Sequence, residues 1–541
     1  MVLQAAPTLD AEPILAALDP EQRAAALLPN GPALIIAPAG SGKTNTLVAR
    51  LGVLVSRGVE PERIGVVTFN REAAGELSAR IGVRLGSLPG VERIEVRTLH
   101  AMARQVLLDT GRLPDLVADR GPLLRQARRE AGGSSTPDVQ RLDTELSAWK
   151  VEGREPSEEA RPVLDALQSL LTARGALDFD DLVTGAARAL ERDPALRTRW
   201  QARFSHLCVD EFQDVDAAQL RLVRLLAAPE NNLFVVGDDD QTIYAWRLAD
   251  VRRILGFAGW YPGTRQVILA TNYRCPPGIV AAGRRLIEHN AERFAKPIRA
   301  GREGSGDEIA ALATVGSDWP RRLVALAAGE VAAGGRACFL ARTRSELVPV
   351  LVALALGGHA HHSPVPAPIE AEPVRELLTG LESSRGAREH PFTALRRLRH
   401  ERGWDRADLA DELGEEAHAA LDALIGWAVG FDDADAFLAA ATAMRERVRE
   451  LRRPHAPIEL LTAHGAKGRE WPLVILVGFE AERFPNRRAL RDALDPQRAM
   501  EEERRLAYVA VTRATRRLVL AFDPARPSPF LAEMGYRPTS G

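Results

Sequence analysis

The 541-residue sequence has few cysteines, few lysines and few aromatic residues, and each shortage excludes something. Its three cysteines, Cys208, Cys275 and Cys338, show no CxxC spacing, so neither a disulfide framework nor a cysteine zinc site is expected. No apolar run reaches about 18 residues, so no membrane span is predicted. The N-terminal segment lacks a basic start followed by an apolar core, which predicts no signal peptide and a cytoplasmic location.

The charges of the chain nearly cancel. The 71 lysines and arginines face 73 aspartates and glutamates, which excludes a globally basic nucleic-acid coat but not a local basic groove. With 46% hydrophobic residues and the length of several domains, the chain is expected to bury more than one core. The bias towards arginine is attributed to codon usage. Lysine is present despite this bias at four positions, where a compact ammonium group could be required: Lys43, Lys150, Lys296 and Lys467.

Short runs rich in Val, Ile and Leu recur along the chain without clean polar alternation, which is typical of parallel strands buried on both faces. Helical patterns lie between them, so we predict an α/β fold. The strands form two groups, each interrupted by a long stretch of helical character. The prediction is therefore two parallel-sheet cores (residues 1–103 with 191–275, and 276–360 with 456–541), each carrying an inserted helical subdomain (104–190 and 361–455).

One apolar run leads into a glycine-rich loop that a helical pattern follows. This is the P-loop pattern, with alanine at the usual first glycine: Ala37, Pro38, Ala39, Gly40, Ser41, Gly42, Lys43 and Thr44. The glycines let backbone N–H groups curl around phosphates, and the helix N-terminus adds partial positive charge. Lys43 is expected to reach the β- and γ-phosphates, and the Thr44 hydroxyl to hold Mg²⁺.

A second apolar run ends in two adjacent carboxylates, Asp210 and Glu211. At the carboxyl end of a buried strand beside a P-loop, Asp210 can complete the Mg²⁺ shell. Glu211 can accept the proton of the attacking water. The alternative for such a pair is a solvated turn.

Further motifs make the pattern specific. Asp-Glu-Phe-Gln-Asp at 210–214 precedes Gly-Asp-Asp-Asp-Gln-Thr-Ile-Tyr-Ala-Trp-Arg at 237–247 and Asn-Tyr-Arg-Cys at 272–275. Later come Thr-Ala-His-Gly-Ala-Lys-Gly-Arg-Glu-Trp at 462–471 and Glu-Arg-Arg-Leu-Ala-Tyr-Val-Ala-Val-Thr-Arg-Ala at 503–514. This ordered set resembles the UvrD/Rep-type superfamily 1 DNA helicases. The resemblance implies two RecA-like cores that use ATP and Mg²⁺ to act on DNA.

The resemblance also implies contacts to the nucleoside. Gln22 is similar to the family's adenine-reading glutamine, and its amide can both donate and accept. Tyr273 resembles the tyrosine that stacks on the base, and Glu470 the acid that contacts the ribose. Asn45 departs from the family pattern, which has an arginine there to stack on the adenine, so weaker or less selective base binding is expected.

For the γ-phosphate, the resemblance implies three further residues. Gln241 resembles the γ-phosphate sensor, and Arg274 and Arg513 resemble the two arginines that face this phosphate across a cleft. Arginine fingers can contribute roughly 10³–10⁵ in rate. The place of Arg513 on the second core implies that hydrolysis depends on closure of the cleft.

Single-strand binding needs backbone cations and aromatic surfaces on which bases stack. Aromatic residues are only 5% of the chain, so those inside motifs are informative candidates for base stacking. The residues that resemble the family's strand-contacting positions are Thr68, Phe69, Asn70, Thr98, His100, Tyr244, Trp246 and His464. The alternatives are core packing for the aromatic rings and a structural role for the two histidines.

Two further departures from the family pattern concern DNA. Glu72 replaces a cation near the expected DNA track, and the neighbouring Arg71 can compensate. The second insert is shorter than usual and has no Gly-Ile-Gly segment of the kind that grips duplex. The basic run at 396–402 is read as a solvated helix face rather than a DNA contact.

The sequence therefore predicts an ATP-dependent DNA helicase or translocase that moves 3′→5′ on single-stranded DNA in repair or replication. Its expected partners are single strands and junctions between single and double strands. The shortened insert keeps open a single-strand-dependent ATPase that displaces bound proteins, with a protein partner at this insert. A third alternative is an RNA-directed or simple P-loop switch ATPase.

Overall fold

The computed structural model of the protein describes residues 11–111, 115–133, 135–364, 367–384, 389–404 and 415–536. The chain divides into two units. The first contains Met1–Asn272 and, later in the chain, the returning segment Glu292–Ile298. The second contains Tyr273–Ala291 and Arg299–Gly541.

A six-stranded sheet forms the centre of the first unit. Its strands are β1 (Ala33–Ile36), β2 (Ile64–Thr68), β3 (Glu95–Thr98), β4 (His206–Val209), β5 (Leu233–Gly237) and β6 (Arg265–Ile268). Their order in the sheet is β3-β2-β4-β5-β1-β6, and every neighbouring pair is parallel. The predicted parallel α/β core is confirmed.

Alternation along the strands explains why both faces of this sheet are apolar. Leu34 and Ile36 of β1 pack into the hydrophobic core on one face. Ala33 and Ile35 pack into the core on the other face. Successive side chains of a strand point to opposite faces, so an unbroken apolar run fills two cores. Helices cover the sheet: Glu12–Leu15, Pro20–Ala26, Lys43–Ser56, Arg71–Leu85, Leu99–Leu108, Phe179–Arg192, Pro194–Arg203, Ala217–Ala227, Val251–Leu255 and Phe257–Trp260.

A helical group with its own hydrophobic core interrupts the first unit. Its helices are Gly121–Ala131, Val139–Ser147 and Arg161–Ala173, and a short parallel pair joins strands Asp115–Leu116 and Ala176–Leu177. A π-helical turn, Ala148–Glu152, presents Lys150 to the start of helix Phe179–Arg192. There Lys150 Nζ lies 2.9 Å from Asp178 Oδ2 and 2.7 Å from Asp181 Oδ2, so an ion cluster fixes the helical group to the core.

The second unit is built around another six-stranded parallel sheet. Its strands are β7 (Ile309–Ala313), β8 (Ala337–Ala341), β9 (His361–His362), β10 (Ile458–Thr462), β11 (Trp471–Val477) and β12 (Ala514–Phe522). Their order in the sheet is β7-β12-β11-β8-β10-β9. The helices that accompany it are Pro277–Ile287, Trp319–Ala332, Val348–Gly357, Arg487–Arg491, Pro496–Val511 and Pro529–Glu533.

A second helical group interrupts this unit and packs around its own apolar core. Its helices are Glu372–Ser383, Pro391–Glu401, Glu415–Ala428 and Ala434–Leu451. Arg397 in the basic run pairs with Glu389 and Glu401, as expected of a solvated helix face. Across the described parts of both units, every helix is too short or too polar to cross a membrane.

Candidate active site and nucleic-acid interface

The loop after β1 connects this strand to the N-terminus of helix Lys43–Ser56. The Ala37 N–H donates to the Gly237 carbonyl of β5 at 2.8 Å, which fixes where the loop leaves the sheet. Gly40 and Gly42 have φ of 68° and 80°, a left-handed conformation that glycine adopts without steric cost. Helix Lys43–Ser56 then begins directly, so its free N–H groups end at the loop. The arrangement is suited to an anion such as a phosphate chain.

Gln22 is buried against this loop. Its Nε2 donates to the Ser41 carbonyl at 2.9 Å, and its Oε1 accepts from the Asp19 N–H at 3.2 Å. A Cβ at position 42 would lie 2.5 Å from Gln22 Nε2, so glycine is needed there for space as well as for φ. One N–H of the Gln22 amide and one oxygen lone pair remain for a ligand. Ser41 Oγ is buried without a hydrogen-bond partner among the described residues.

The two adjacent carboxylates follow β4, and both residues are partly buried. Burial, together with the neighbouring Glu211 carboxylate, raises the pKa of Asp210 to about 7. Glu211 has a φ of 50°, and a non-glycine residue there stores about 1–3 kcal/mol of backbone strain. Glu211 Oε2 lies 3.9 Å from Lys43 Nζ. The charge of Lys43 opposes the effects of burial and of Glu211 on the pKa of Asp210 but does not overcome them.

This donor set fits Mg²⁺. The ion prefers hard oxygen ligands and is usually held by one or two carboxylates together with substrate phosphates. The Asp210 carboxylate, whose ionisation is unfavourable in the bare protein, lies close enough to Lys43 to feel its charge. Thr44 follows Lys43 in the first turn of helix Lys43–Ser56. Asp210 and Thr44 are the residues that could hold the ion.

A hydrogen-bond chain connects the end of β4 to the end of β5. Gln213 is fully buried, and its Nε2 donates to Glu211 Oε2. Its Oε1 accepts from the Asp238 N–H at 3.0 Å. The Asp238 carboxylate in turn accepts from Gln241 Nε2 at 2.6 Å. The sequence interpretation missed Gln213 and Asp238, although both lie inside quoted motifs.

Asp238 belongs to a buried aspartate cluster (Asp238, Asp239 and Asp240), in which each residue is 0% exposed. Lys296 Nζ lies 2.9, 2.6 and 2.7 Å from carboxylate oxygens of the three aspartates in turn. Arg293 forms a fork with Asp240 at 2.9 and 2.8 Å. The scarcity of lysine was a sequence signal that pointed to Lys296.

Asn45 lies at the edge of the phosphate loop and is hydrogen-bonded to an arginine. Arg84 Nη2, from helix Arg71–Leu85, donates to Asn45 Oδ1 at 2.8 Å. The same helix carries Arg80, whose charge lowers the pKa of Asp210 against the effect of burial. A guanidinium is therefore present beside the loop although position 45 itself lacks one. No sequence signal identified Arg84.

Aromatic rings from two loops stack at the same edge of the first sheet. Phe69, directly after β2, and Tyr244 lie with ring centroids 5.0 Å apart and an interplanar angle of 10°. Trp246 meets Tyr244 edge-on at 6.2 Å and is 58% exposed. We call these three residues the aromatic platform. Arg247 lies 4.7 Å above the Trp246 ring, a cation that the sequence interpretation quoted but did not assign.

Four other predicted DNA residues surround the start of two helices. Asn70 and Thr98 act as helix caps, accepting from the Ala73 and Ala101 N–H groups at 2.8 and 3.1 Å. Thr68 Oγ1 is buried without a partner among the described residues. His100 packs edge-on against Phe179 at 5.6 Å. Burial, helped by the Arg247 charge, lowers the pKa of His100, so its ring is neutral at pH 7.

The second unit holds the remaining predicted nucleotide residues. Arg274 Nε donates to Glu470 Oε2 at 2.5 Å, and Tyr273 is 42% exposed. Arg513 is 1% exposed, and its guanidinium donates to the Val509 carbonyl at 2.8 Å and the Arg469 carbonyl at 3.3 Å. The structure thus brings Arg274 together with Glu470. The Arg513 guanidinium is held by backbone carbonyls, one of which belongs to Arg469, the residue before Glu470.

His464 follows β10 in a short 3₁₀ turn. Burial and the nearby charges of Arg342 and Lys467 lower its pKa to about 4. Its ring is therefore neutral at pH 7 and can donate or accept one hydrogen bond but cannot pair with a phosphate as a cation.

Comparison with known proteins gives matches over both units. Residues 18–262 match the UvrD/REP helicase N-terminal domain, and residues 432–523 match the UvrD-like helicase C-terminal domain. The ATP-dependent DNA helicase UvrD2 of Mycobacterium tuberculosis is 32% identical over 590 residues, covering 96% of this chain and 80% of that protein. PcrA of Leuconostoc citreum is 28% identical over 650 residues, covering 97% and 86% respectively.

A third relative extends the match over nearly its whole length. The probable DNA helicase II homolog of Rickettsia felis is 25% identical over 614 residues, covering 94% of this chain and 93% of that protein. The motif order, the two parallel-sheet cores and these matches agree. The chain belongs to the UvrD/Rep family of ATP-dependent DNA helicases.

Proposed function

We propose that this helicase translocates 3′→5′ along single-stranded DNA and acts at junctions between single and double strands during repair or replication. The direction rests on the family resemblance. UvrD2 and PcrA, two of the relatives, are ATP-dependent DNA helicases by name, and the proposal adds a polarity and a substrate to that activity for this chain.

The observation that carries the proposal is the loop after β5. It holds Gln241, the proposed γ-phosphate sensor, and then Tyr244 and Trp246 of the aromatic platform. A shift of this loop on nucleotide hydrolysis displaces the aromatic rings as well. Because bases stack on such rings without sequence preference, the displacement moves a strand rather than reading it.

In the proposed reaction, Lys43 and the backbone N–H groups of the loop bind the β- and γ-phosphates, and Gln22 and Tyr273 hold the adenine. Glu211 accepts the proton of the attacking water. Arg274 and Arg513 stabilise the charge that develops on the transferred phosphoryl group, and Glu470 contacts the ribose. Thr44 and Asp210 would hold Mg²⁺, and the ion would neutralise phosphate charge.

The neutral state of the two histidines supports a role in positioning the strand. His100 and His464 can each hydrogen-bond to a base edge or sugar, while the cationic contacts are left to arginines such as Arg247. Thr68, Asn70 and Thr98 complete the proposed track at the same edge of the first sheet.

The test has two stages. ATP hydrolysis is first measured with and without oligo(dT), with Lys43→Ala as the inactive control. Unwinding is then compared on duplexes with a 3′ or a 5′ single-stranded tail. Stimulation by DNA together with unwinding from the 3′ tail alone supports the proposal, and unwinding from the 5′ tail alone contradicts the polarity.

The short second insert favours a second candidate, a single-strand-dependent ATPase that displaces bound proteins. The four helices that the structure describes in this insert enclose an apolar core and form a compact group to which a protein partner could bind. Release of a labelled single-strand-binding protein without separation of either tailed duplex favours this candidate. Stimulation by RNA above that by DNA would instead favour an RNA-directed ATPase.

A further inference from the structure

The cations that pair with the aspartate cluster of the first unit come from a segment that lies later in the sequence. Segment Glu292–Ile298 belongs to the first unit, yet the residues before and after it belong to the second. Lys296, from this segment, is 0% exposed in its side chain. Its three N–H donors face three carboxylates, so the hydrogen-bonding capacity of the ammonium is filled.

The three carboxylates are not equivalent. Asp239 also accepts from the Phe294 N–H at 2.8 Å, and Asp240 is held by the Arg293 fork, so both have a second partner in the returning segment. Asp238 instead uses its other oxygen to accept from Gln241 Nε2. Burial opposes ionisation of Asp238, but the charges of Lys296 and Lys43 and the hydrogen bond from Gln241 outweigh it and lower its pKa.

Asp238 therefore stands between the returning segment and both groups proposed to act on the γ-phosphate. Its carboxylate orients Gln241. Its N–H orients Gln213, which donates to Glu211. Because the two carboxylate oxygens of Asp238 contact Lys296 and Gln241, the Asp238 side chain is held in a single orientation. The Gln241 and Gln213 side chains that bind to Asp238 are thereby held in place as well.

We infer that Lys296 is a positioning residue for ATP hydrolysis: through Asp238 it sets the side-chain geometry of Gln241 and, through Gln213, of Glu211. The inference rests on the proposed function of these two residues. The alternative is that Lys296 only offsets buried charge. These differ in their kinetic consequence, because a lost orientation lowers kcat whereas a lost charge balance lowers stability.

The test compares variants that separate orientation from charge. Asp238→Asn keeps the shape but has one acceptor oxygen where two are needed. Asp240→Asn removes a carboxylate of the same cluster that contacts neither Gln241 nor Gln213. The pair Lys296→Met with Asp239→Asn removes one positive and one negative charge together, so the formal charge of the cluster is unchanged.

We expect Asp238→Asn to lower kcat on the order of 10- to 100-fold, the effect of misplacing a reacting group by about 1 Å. The KM for ATP and the Kd of a fluorescent ATP analogue stay within about twofold, since Gln241 and Glu211 act on the transition state. The double variant Lys296→Met with Asp239→Asn is expected to show the same loss of kcat and the same unchanged KM and Kd. Asp240→Asn lowers the thermal midpoint but keeps kcat within about twofold.

Unchanged kcat in Asp238→Asn overturns the positioning role, as does an equal loss of kcat in Asp240→Asn, which indicates general loss of order. If the charge-balanced pair does not fold, these two single variants decide. Absence of DNA-stimulated ATP hydrolysis in the unaltered protein overturns the proposed function, and the positioning role with it.

Discussion

Replacing Trp246 by alanine separates the contribution of the aromatic platform to DNA binding from its contribution to stability. The indole is 58% exposed and contacts Tyr244 through an edge-on pair at 6.2 Å. An aromatic pair contributes about 0.5–1.5 kcal/mol beyond the area that it buries. Because most of the ring already faces water, we expect the free energy of unfolding to fall by no more than about this amount.

The loss in DNA affinity is expected to be larger. One base stacked on an aromatic side chain contributes about 1–3 kcal/mol. This corresponds to an increase of about 5- to 150-fold in the Kd for single-stranded DNA. The Arg247 guanidinium lies 4.7 Å over the same ring, and Trp246→Ala removes this cation–π contact as well. We therefore expect an increase in Kd in the upper part of the range of about 5- to 150-fold.

The assay is fluorescence anisotropy of labelled oligo(dT) without nucleotide, at one fixed ionic strength because phosphate contacts make Kd depend on salt. Trp246→Phe is the matched control and should keep most of the affinity, since it retains a ring. An unchanged Kd in Trp246→Ala would refute the stacking role. A large loss of stability would show that the indole is a core residue.

Three further predictions concern the nucleotide site and acid stability. Lys43→Ala and Glu211→Gln should both abolish ATP turnover, but Glu211→Gln should retain binding of a fluorescent ATP analogue; loss of that binding argues against Glu211 as the base. Arg84→Ala should raise the KM for ATP about 2- to 30-fold, the equivalent of roughly 0.5–2 kcal/mol, and adding Asn45→Arg should restore it if a stacked guanidinium is what was lost. His206 is hydrogen-bonded to Asn30 and Ser205, and burial and two arginines lower its pKa from 6.5 to about 4, so the unfolded state takes up the proton first. Its contribution to stability is complete above pH 6.5 and is lost as the pH falls towards 4; urea titrations should show a weaker acid dependence in His206→Gln, and an identical dependence would contradict this assignment.

The fold could be predicted because its determinants are local. The apolar run of β1 and the glycines after it specify a buried parallel strand and a tight loop within a dozen residues. The same holds for β4 with Asp210 and Glu211, where strand and carboxylates are contiguous. Patterns of this kind depend on backbone geometry and side-chain alternation, which act between near neighbours in the chain.

The partners of the site residues could not be predicted, since they come from distant positions. Arg84 reaches Asn45 across 39 residues, and Lys296 reaches Asp238 across 58. Nor does the motif containing Arg513 reveal that its guanidinium is held by backbone carbonyls of Val509 and Arg469. Each contact depends on how helices and loops pack, and an arginine-rich chain offers many equivalent candidates for each.

The return of Glu292–Ile298 to the first unit has a consequence for dividing the protein into fragments. A gene fragment that stops at Asn272 contains the whole six-stranded sheet and every residue of the P-loop, but it omits Lys296 and Arg293. In this fragment the three carboxylates lose the ammonium and the guanidinium that pair with them in the full chain, and removing one partner of a buried ion pair is strongly destabilising. Expression of this ATPase half alone requires residues through Ile298, or neutral side chains in place of the aspartates.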